Sequence, residues 1–158
     1  MGDYVSPVDG MVIALKFTAR LDLARFFGRL LVSRFEAMPQ SVKDSVVIPV
    51  PLAFERVRQR GFNQAHQIAR AFATAAGRPL IADRLLRVSH TPPQQSLALK
   101  ERRRNVRDAF TANGGFSGQH IFVVDDVMTT GSTLNEVARV LKKAGALRVH
   151  NLIVARTP

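Results

Sequence analysis

Two adjacent carboxylates followed by a run of hydroxyl side chains form the most chemically suggestive segment of the sequence. Asp125 and Asp126 follow the apolar residues 121–124. The residues after them are Val127, Met128, Thr129, Thr130, Gly131, Ser132 and Thr133. Paired acids can accept hydrogen bonds from the hydroxyls of a ribose and can help to hold Mg²⁺, whereas hydroxyls and free backbone amides bind phosphate. The segment therefore predicts a site for a phosphorylated sugar.

A strand, a short loop and a helix must position these residues. The apolar run before Asp125 predicts a buried strand that ends at the ligand edge of a parallel sheet. A helix is predicted from Ser132, and its free N–H groups would attract a phosphate. Gly131 allows a positive φ and a close approach of the backbone. The alternative is a strand end followed by a capped helix, in which the hydroxyls and Asp126 serve only as caps.

The rest of the chain alternates between helical and strand patterns, which predicts an α/β fold with a parallel sheet of four to five strands. Helices are expected on both faces, in a single domain over residues 1–158 whose first 40 residues form a small helical hood. The individual predictions are an amphipathic helix within 12–36, a strand at 46–52, a loop at 54–63, a helix at 64–76, a weak strand at 80–88, and a last strand within 146–155.

Composition narrows the class of protein. The 158 residues contain no cysteine, which excludes disulfides, thiolate zinc sites and a cysteine nucleophile. No apolar run approaches the length of a membrane helix, so a cytoplasmic protein is expected. The net charge is +11, carried mostly by arginine. Arginine fits phosphate oxygens well, which indicates an anionic partner; an arginine-rich proteome would also explain the excess.

The segment from Val123 to Thr133 resembles the motif with which type I phosphoribosyltransferases bind 5-phosphoribosyl-1-pyrophosphate (PRPP). The resemblance implies their Rossmann-like fold, contacts from Asp125 and Asp126 to the ribose hydroxyls, and a 5′-phosphate held by residues 129–133. It also implies Mg²⁺ as cofactor. Purine-salvage members that use a third acid carry it where Thr129 stands here, so the resemblance to orotate-type members is closer.

Two further stretches resemble the ComF family, which includes ComFC and GntX-like proteins. The first is Pro49–Leu52 with the basic segment 56–64, and the second is Thr91–Gln94 with residues 97–110. The pair Lys16-Phe17 is similar to a lysine–aromatic pair near the start of the family's transferase domain. The resemblance covers nearly all of residues 4–156. Many members carry a four-cysteine zinc ribbon before this domain; a short variant and a missing N-terminus both explain its absence here.

Two basic segments are candidates for the pyrophosphate. In an extended loop, the alternating Arg56, Arg58 and Arg60 would point the same way. Gly61 and Asn63 beside them suggest a close approach to a ligand, and Asn63 also suits a helix cap. The second segment holds Lys100, Arg103 and Arg104, where type I phosphoribosyltransferases have a mobile loop that closes over PRPP. A solvated basic surface and a groove for nucleic acid are the alternatives.

These observations favour a PRPP-binding, phosphoribosyltransferase-like protein. It would transfer the phosphoribosyl group to an acceptor that the sequence leaves open, with Mg²⁺ neutralising the released pyrophosphate. The competing hypothesis is a non-enzymatic module for DNA uptake that binds single-stranded DNA or senses phosphoribosyl ligands, with partners in the competence machinery. No membrane span is expected in either case.

Overall fold

A computed structural model describes residues 2–42, 44–88 and 108–157. Its six strands and five helices are, in chain order, β1 (Gly2–Asp3), α1 (Val8–Phe17), α2 (Leu21–Glu36), β2 (Ser45–Pro49), α3 (Phe54–Arg60), α4 (Gln64–Ala76), β3 (Leu85–Arg87), β4 (Phe110–Ala112), β5 (His120–Met128), α5 (Ser132–Lys143) and β6 (Arg148–Arg156). A short 3₁₀ turn, Gln40–Val42, leads into β2.

The central sheet has four strands in the order β1-β6-β5-β2, and each neighbouring pair is parallel. Strands β3 and β4 form a separate antiparallel pair. The expected parallel sheet with helices on both faces is thus confirmed. Since the strands are parallel, their carboxyl ends meet at one edge, which is the ligand edge of open α/β folds.

Strand β5 divides its side chains between two hydrophobic cores because successive residues of a strand point to opposite faces. Phe122 and Val124 pack with α1, α2 and α4 on one face. Ile121 and Val123 pack with α5 and the β3–β4 pair on the other face. All four are fully buried, so the middle strand is fixed from both sides.

Helix α2 lies tightly against α4. A Cβ atom added at Gly28 would lie 2.6 Å from the Cβ of Ala71 and 2.7 Å from the backbone nitrogen of Phe72. Only glycine fits this crossing. The first 40 residues, which were predicted to form a hood, contribute to the main fold. Helix α2 packs into the core, and β1 forms an edge of the central sheet. Helix α1 ends beside the carboxyl end of β5.

Three local predictions were wrong. The single helix expected within 12–36 is two helices, because the chain turns at residues 18–20, where Ala19 has a φ of 52°. The loop expected at 54–63 contains the helix α3, whose seven residues are too few for a clear apolar period. Strand β5 continues two residues beyond Asp126, so the acids lie within the strand and not at its end.

Within the described parts of the chain, no helix has both the length and the apolar character needed to cross a membrane.

Candidate functional site

The two acids of β5 have different partners. Asp126 is 4% exposed, and its Oδ2 lies 2.8 Å from the Lys16 Nζ at the end of α1. Its Oδ1 accepts a hydrogen bond from the Val127 N–H at 2.8 Å. Asp125 accepts from the Asp126 N–H at 2.9 Å. Among described residues no cation lies within 4.0 Å of Asp125, so this carboxylate is the one left for a ligand.

Electrostatics sets Asp125 apart. Burial and the neighbouring charge of Asp126 raise the pKa of Asp125 to about 8, while the more distant Lys16 acts in the opposite direction. A carboxylate whose charged form is destabilised by burial and by a neighbouring acid is stabilised by a ligand that supplies hydroxyl donors or positive charge. The arrangement therefore suits a sugar diol, a magnesium ion or both.

The turn after β5 exposes its hydroxyls and opens a helix. Thr129 and Thr130 are exposed, and the Thr130 and Ser132 hydroxyl oxygens lie 2.8 Å apart. Gly131 has a φ of 75°, which favours glycine, and it precedes α5 without a side-chain cap. The Ser132 N–H donates to the Thr130 hydroxyl oxygen at 3.4 Å, so the Thr133 and Leu134 N–H groups are the ones that the first turn of α5 offers to an anion. The turn is not packed under other described segments.

The helical conformation of α3 determines the directions in which its three arginines point. In a helix, residues four apart share a face, so Arg56 and Arg60 lie on the same side. Arg58 is rotated by about 200° from Arg56 and lines neither of the cavities described below. The expectation that all three point one way was therefore wrong, because it assumed an extended loop.

Two adjoining cavities lie at this edge of the sheet. The smaller, about 170 Å³, we call the acid cavity. It is lined by Lys16, Val50, Pro51, Leu52, Arg56, Arg60, Asn63, Gln64, Ala65, Arg87, Asp125, Asp126 and Thr133. The larger, about 490 Å³, we call the aromatic cavity. It is lined by Lys16, Phe17, Ala19, Arg56, Gln59, Arg60 and Phe62. The two share Lys16, Arg56 and Arg60, which form a basic boundary between them.

Arg60 is held in place on this boundary. Its guanidinium carbon lies 5.5 Å from the centre of the Phe17 ring, and its Nη1 donates to the Gln64 side-chain oxygen. Burial lowers the pKa of Arg60, whereas the charge of Asp126 raises it. A cation fixed by a ring and an amide loses little further freedom when it binds an anion.

Two residues that were predicted to lie near the ligand, Asn63 and Gly61, stabilise the turn between α3 and α4. Asn63 caps α4 by accepting from the Ala65 and His66 N–H groups, and its own amide donates to the Val50 carbonyl at 2.9 Å. Gly61 ends α3 with a φ of 82°, a conformation that other residues adopt at a cost. Together they tie the α3–α4 turn to the end of β2. Asn63 also lines the acid cavity.

The structure brings one part of the predicted site together in a single cavity. Asp125, Asp126, Arg56, Arg60, Asn63 and Thr133 share the acid cavity. Lys100, Arg103 and Arg104, with the rest of the basic segment 94–107, lie outside the described residues.

Two site residues were missed from the sequence. The sequence marks Lys16 only as part of a lysine–aromatic pair, because its contact partner Asp126 lies 110 positions away along the chain. Arg87 lines the acid cavity with its guanidinium 5.4 Å from the centre of the Phe110 ring. Apart from its charge, no feature of the sequence around Arg87 indicates a binding role, because only tertiary packing places β3 beside the site.

The donor set fits magnesium bound mainly through its substrate. Among the described residues, no three His, Cys, Asp or Glu side chains form a metal-binding group. Mg²⁺ commonly takes one or two carboxylates and fills its remaining positions with water and phosphate oxygens. Asp125 can supply such a carboxylate, whereas Asp126 is engaged by Lys16.

The fold and this site define a class that comparison with known proteins supports. The model of the phosphoribosyl transferase domain family matches residues 33–158. A glutamine PRPP amidotransferase from Bacillus subtilis, solved with ADP and GMP, superposes with a TM-score of 0.59 at 22% identity. The match covers 90% of this chain and 30% of that one, so the chain spans under a third of the amidotransferase. The expected type I phosphoribosyltransferase fold is thus confirmed.

Curated relatives narrow the class. Competence protein F of Haemophilus influenzae is 33% identical over 162 residues, which cover 99% of this chain and 71% of the relative. DNA utilization protein YhgH of Salmonella typhimurium is 34% identical over 160 residues, covering 99% and 70% respectively. The chain belongs to the phosphoribosyl transferase domain family, in its ComF branch.

Proposed function

We propose that the chain binds PRPP with Mg²⁺ in the acid cavity and transfers the 5-phosphoribosyl group to an acceptor, releasing pyrophosphate. The observation that carries the proposal is the position of Asp125. This carboxylate has no cation within 4.0 Å among the described residues, yet it lines a cavity with arginines and with Thr133 of the first turn of α5. One side of this cavity suits a diol and the other suits phosphates.

The roles of the residues follow from their contacts. Asp125 would accept hydrogen bonds from the ribose hydroxyls, and the turn 129–133 with the N-terminus of α5 would hold the 5′-phosphate. Arg56, Arg60 and Arg87 would meet the pyrophosphate, because they are the arginines that line the acid cavity. Asp126 would orient Lys16 toward the boundary between the cavities through their ion pair.

The transfer itself needs positioning and charge stabilisation. As the bond between C1 of the ribose and the pyrophosphate oxygen breaks, the electron pair leaves with the pyrophosphate. The arginines would stabilise this growing negative charge, which is the larger part of catalysis in such sites. Asp125 would help to hold a Mg²⁺ ion at this site, and the chemistry that the ion would supply is neutralisation of part of the same charge. The acceptor would approach from the aromatic cavity, which adjoins the acid cavity at Lys16, Arg56 and Arg60.

Calorimetric titration with PRPP and Mg²⁺ tests this proposal. We expect Asp125→Asn to weaken PRPP binding by at least about tenfold, since about 1.4 kcal/mol of hydrogen bonding to the diol is lost. The matched control is Asp83→Asn, an exposed acid outside both cavities, which should bind as the wild type does. PRPP binding that is unchanged in Asp125→Asn would contradict the proposal.

A second candidate function is the binding of single-stranded DNA. It is favoured by the names of the relatives, a competence protein and a DNA utilization protein, and by the net charge of +11. In that role the chain would work with protein partners of the competence machinery, and a phosphoribosyl ligand would act as a signal. A salt-titrated gel shift distinguishes the two, since DNA affinity falls steeply with salt. Asp125→Asn should weaken PRPP binding but not DNA binding, because it removes a negative charge.

A further inference from the structure

Arg87 reaches the acid cavity from outside the central sheet. It is the last residue of β3, and in the described part of the chain β3 pairs with β4 alone. Partial burial and the charge of Arg56 lower the pKa of Arg87, whereas the charge of Asp125 raises it. Its charge therefore interacts with both the basic and the acidic side of the cavity. Because no described strand of the central sheet pairs with β3, the position of Arg87 depends on the β3–β4 pair.

The ring of Phe110 supports Arg87. The two residues lie directly opposite each other in the antiparallel pair, which places their side chains on the same face. The guanidinium carbon lies 5.4 Å from the centre of the ring, where the ring quadrupole attracts a cation. Phe110 is only 4% exposed and packs in the core on the α5 side of the sheet. The ring is therefore a fixed surface for the guanidinium.

A buried carboxylate fixes the start of β4. Glu136 of α5 is 8% exposed, and its Oε1 accepts a hydrogen bond from the Asp108 N–H at 2.8 Å. Arg139 donates to the Glu136 Oε2 and to the Asp108 Oδ1, each at 2.9 Å. Asp108 has a φ of 62°, a conformation that few residues other than glycine adopt. These hydrogen bonds attach the chain to α5 two positions before Phe110.

Helix α5 connects this attachment to the hydroxyl-rich turn. Thr133 lies in the first turn of α5 and lines the acid cavity. Glu136 follows three residues later, on the same face of the helix. One helix therefore carries the N–H groups that suit a phosphate at its start and the carboxylate that anchors β4 in its next turn. The position of Arg87 is set, through β4, relative to the turn 129–133.

The support of Arg87 differs from that of Arg60 in its burial. Arg60 lies 5.5 Å from the centre of the Phe17 ring, a distance close to that between Arg87 and the Phe110 ring. Phe17, however, is 73% exposed, whereas Phe110 is 4% exposed. Packing in the core fixes a buried ring more firmly than an exposed one. Phe110 is therefore the support that the fold itself determines.

We propose that Phe110 is a positioning residue that holds Arg87 toward the acid cavity, with Glu136 fixing β4 behind it. The inference rests on the proposed function, in which Arg87 meets the pyrophosphate. Phe110 contacts no ligand and acts through the guanidinium. A cation that is already held in the binding position loses less freedom when a phosphate binds. Loss of the ring therefore weakens the binding of PRPP without removing any group that contacts it.

Calorimetric titration of the full chain with PRPP and Mg²⁺ tests the inference. Phe110→Leu keeps an apolar side chain but removes the ring. We expect it to weaken PRPP binding about two- to fivefold, because a guanidinium without its ring contact occupies the binding position for less of the time. Arg87→Gln should weaken binding at least about tenfold, the effect of one charged contact. In the Arg87→Gln background, Phe110→Leu should have no further effect.

Phe116→Leu is the matched control. Phe116 belongs to the same core as Phe110 and is fully buried, but it lines neither the acid cavity nor the aromatic cavity. The same substitution at this position should lower the urea midpoint at least as much as Phe110→Leu does. Its PRPP affinity should equal that of the wild type. A general loss of packing is thus separated from the loss of support for Arg87.

Glu136 is tested by a conservative and a disruptive substitution. Glu136→Gln keeps a side-chain oxygen that can accept from the Asp108 N–H, so its PRPP affinity should stay within about twofold of the wild type. Glu136→Ala removes this acceptor and should weaken PRPP binding about as much as Phe110→Leu. Equal affinities in the two variants would contradict the role of Glu136.

Two results would overturn the role of Phe110. One is a Phe110→Leu variant that is folded and binds PRPP as tightly as the wild type. The other is a double variant in which the effects of Phe110→Leu and Arg87→Gln multiply, since the ring would then act independently of Arg87. Both results leave the proposed function intact. A wild type that does not bind PRPP would instead contradict the proposed function, and the role of Phe110 with it.

Discussion

The two halves of strand β5 contrast sharply. Residues 121–124 are fully buried and divide between two hydrophobic cores, so this half stabilises the fold. The next two residues are acids, of which Asp125 has a raised pKa because it is buried and lies beside Asp126. This half opposes folding when Asp125 is charged. One strand thus contains residues that stabilise the fold and a carboxylate whose charge destabilises it. The buried first half holds the two acids of the second half in place.

The largest expected effect lies in the first half. Phe122→Ala removes a fully buried ring that contacts Phe35 and Phe72 edge-on and stacks with His150. We expect a loss of about 3–5 kcal/mol in the free energy of unfolding, from lost burial and the cavity left behind. Urea denaturation measures it. Phe54→Ala, at a ring that is 66% exposed, should cost far less; equal losses would contradict the contrast.

A smaller effect of opposite sign is expected in the second half. The pKa of Asp125 is raised to about 8 from an ordinary value of 3.8, so the folded chain binds more protons than the unfolded chain between these values. Stability should therefore fall as the pH rises from about 4 to 8. Asp125→Asn does not ionise, so its free energy of unfolding should exceed that of the wild type by about 1 kcal/mol at pH 8.

Denaturation of wild type and Asp125→Asn at pH 5 and pH 8 checks this prediction. The difference between the two proteins should be smaller at pH 5, where Asp125 is protonated in the folded wild type. A variant that is less stable than the wild type at both values would show that the acid contributes to the fold, and the contrast within β5 would be lost.

The smallest effect concerns the amino end of the same strand. His120 stacks on His150, and their ring nitrogens lie 3.3 Å apart. Burial, His120 and Arg148 lower the pKa of His150, so the unfolded chain binds the proton more readily. Stability should then decrease as the pH falls through and below about 6.5. Because the pair is partly exposed to solvent, we expect no more than about 0.5 kcal/mol.

Comparison of wild type and His150→Gln at pH 7.5 and pH 5.5 isolates this contribution. The variant has no titrating group at this position, so the wild type should lose more stability than the variant on acidification. An equal loss in both proteins would indicate that the histidine pair has no influence on folding. In that case, only the acids in the second half of β5 would make stability depend on pH.

Helices α3 and α5 differ in how far the sequence predicts them. Twelve residues with a strong apolar period and a glycine before them mark α5. Helix α3 has seven residues and none of them is buried, so no apolar period could distinguish it from a basic loop. This difference affects the site, because the helix turns Arg58 away from the face that Arg56 and Arg60 share, whereas an extended loop would point all three the same way.

The sequence by itself determined the contiguous part of this protein: a strand that carries two acids, a hydroxyl-rich turn and a helix, together with the family to which it belongs. These features depend on neighbours in the chain, where periodicity and turn chemistry operate. Only the tertiary structure decided that Lys16 engages Asp126, that Arg87 enters the acid cavity, and that Phe17 and Phe62 share a cavity. Such contacts depend on how helices pack across the sheet, which local patterns do not encode.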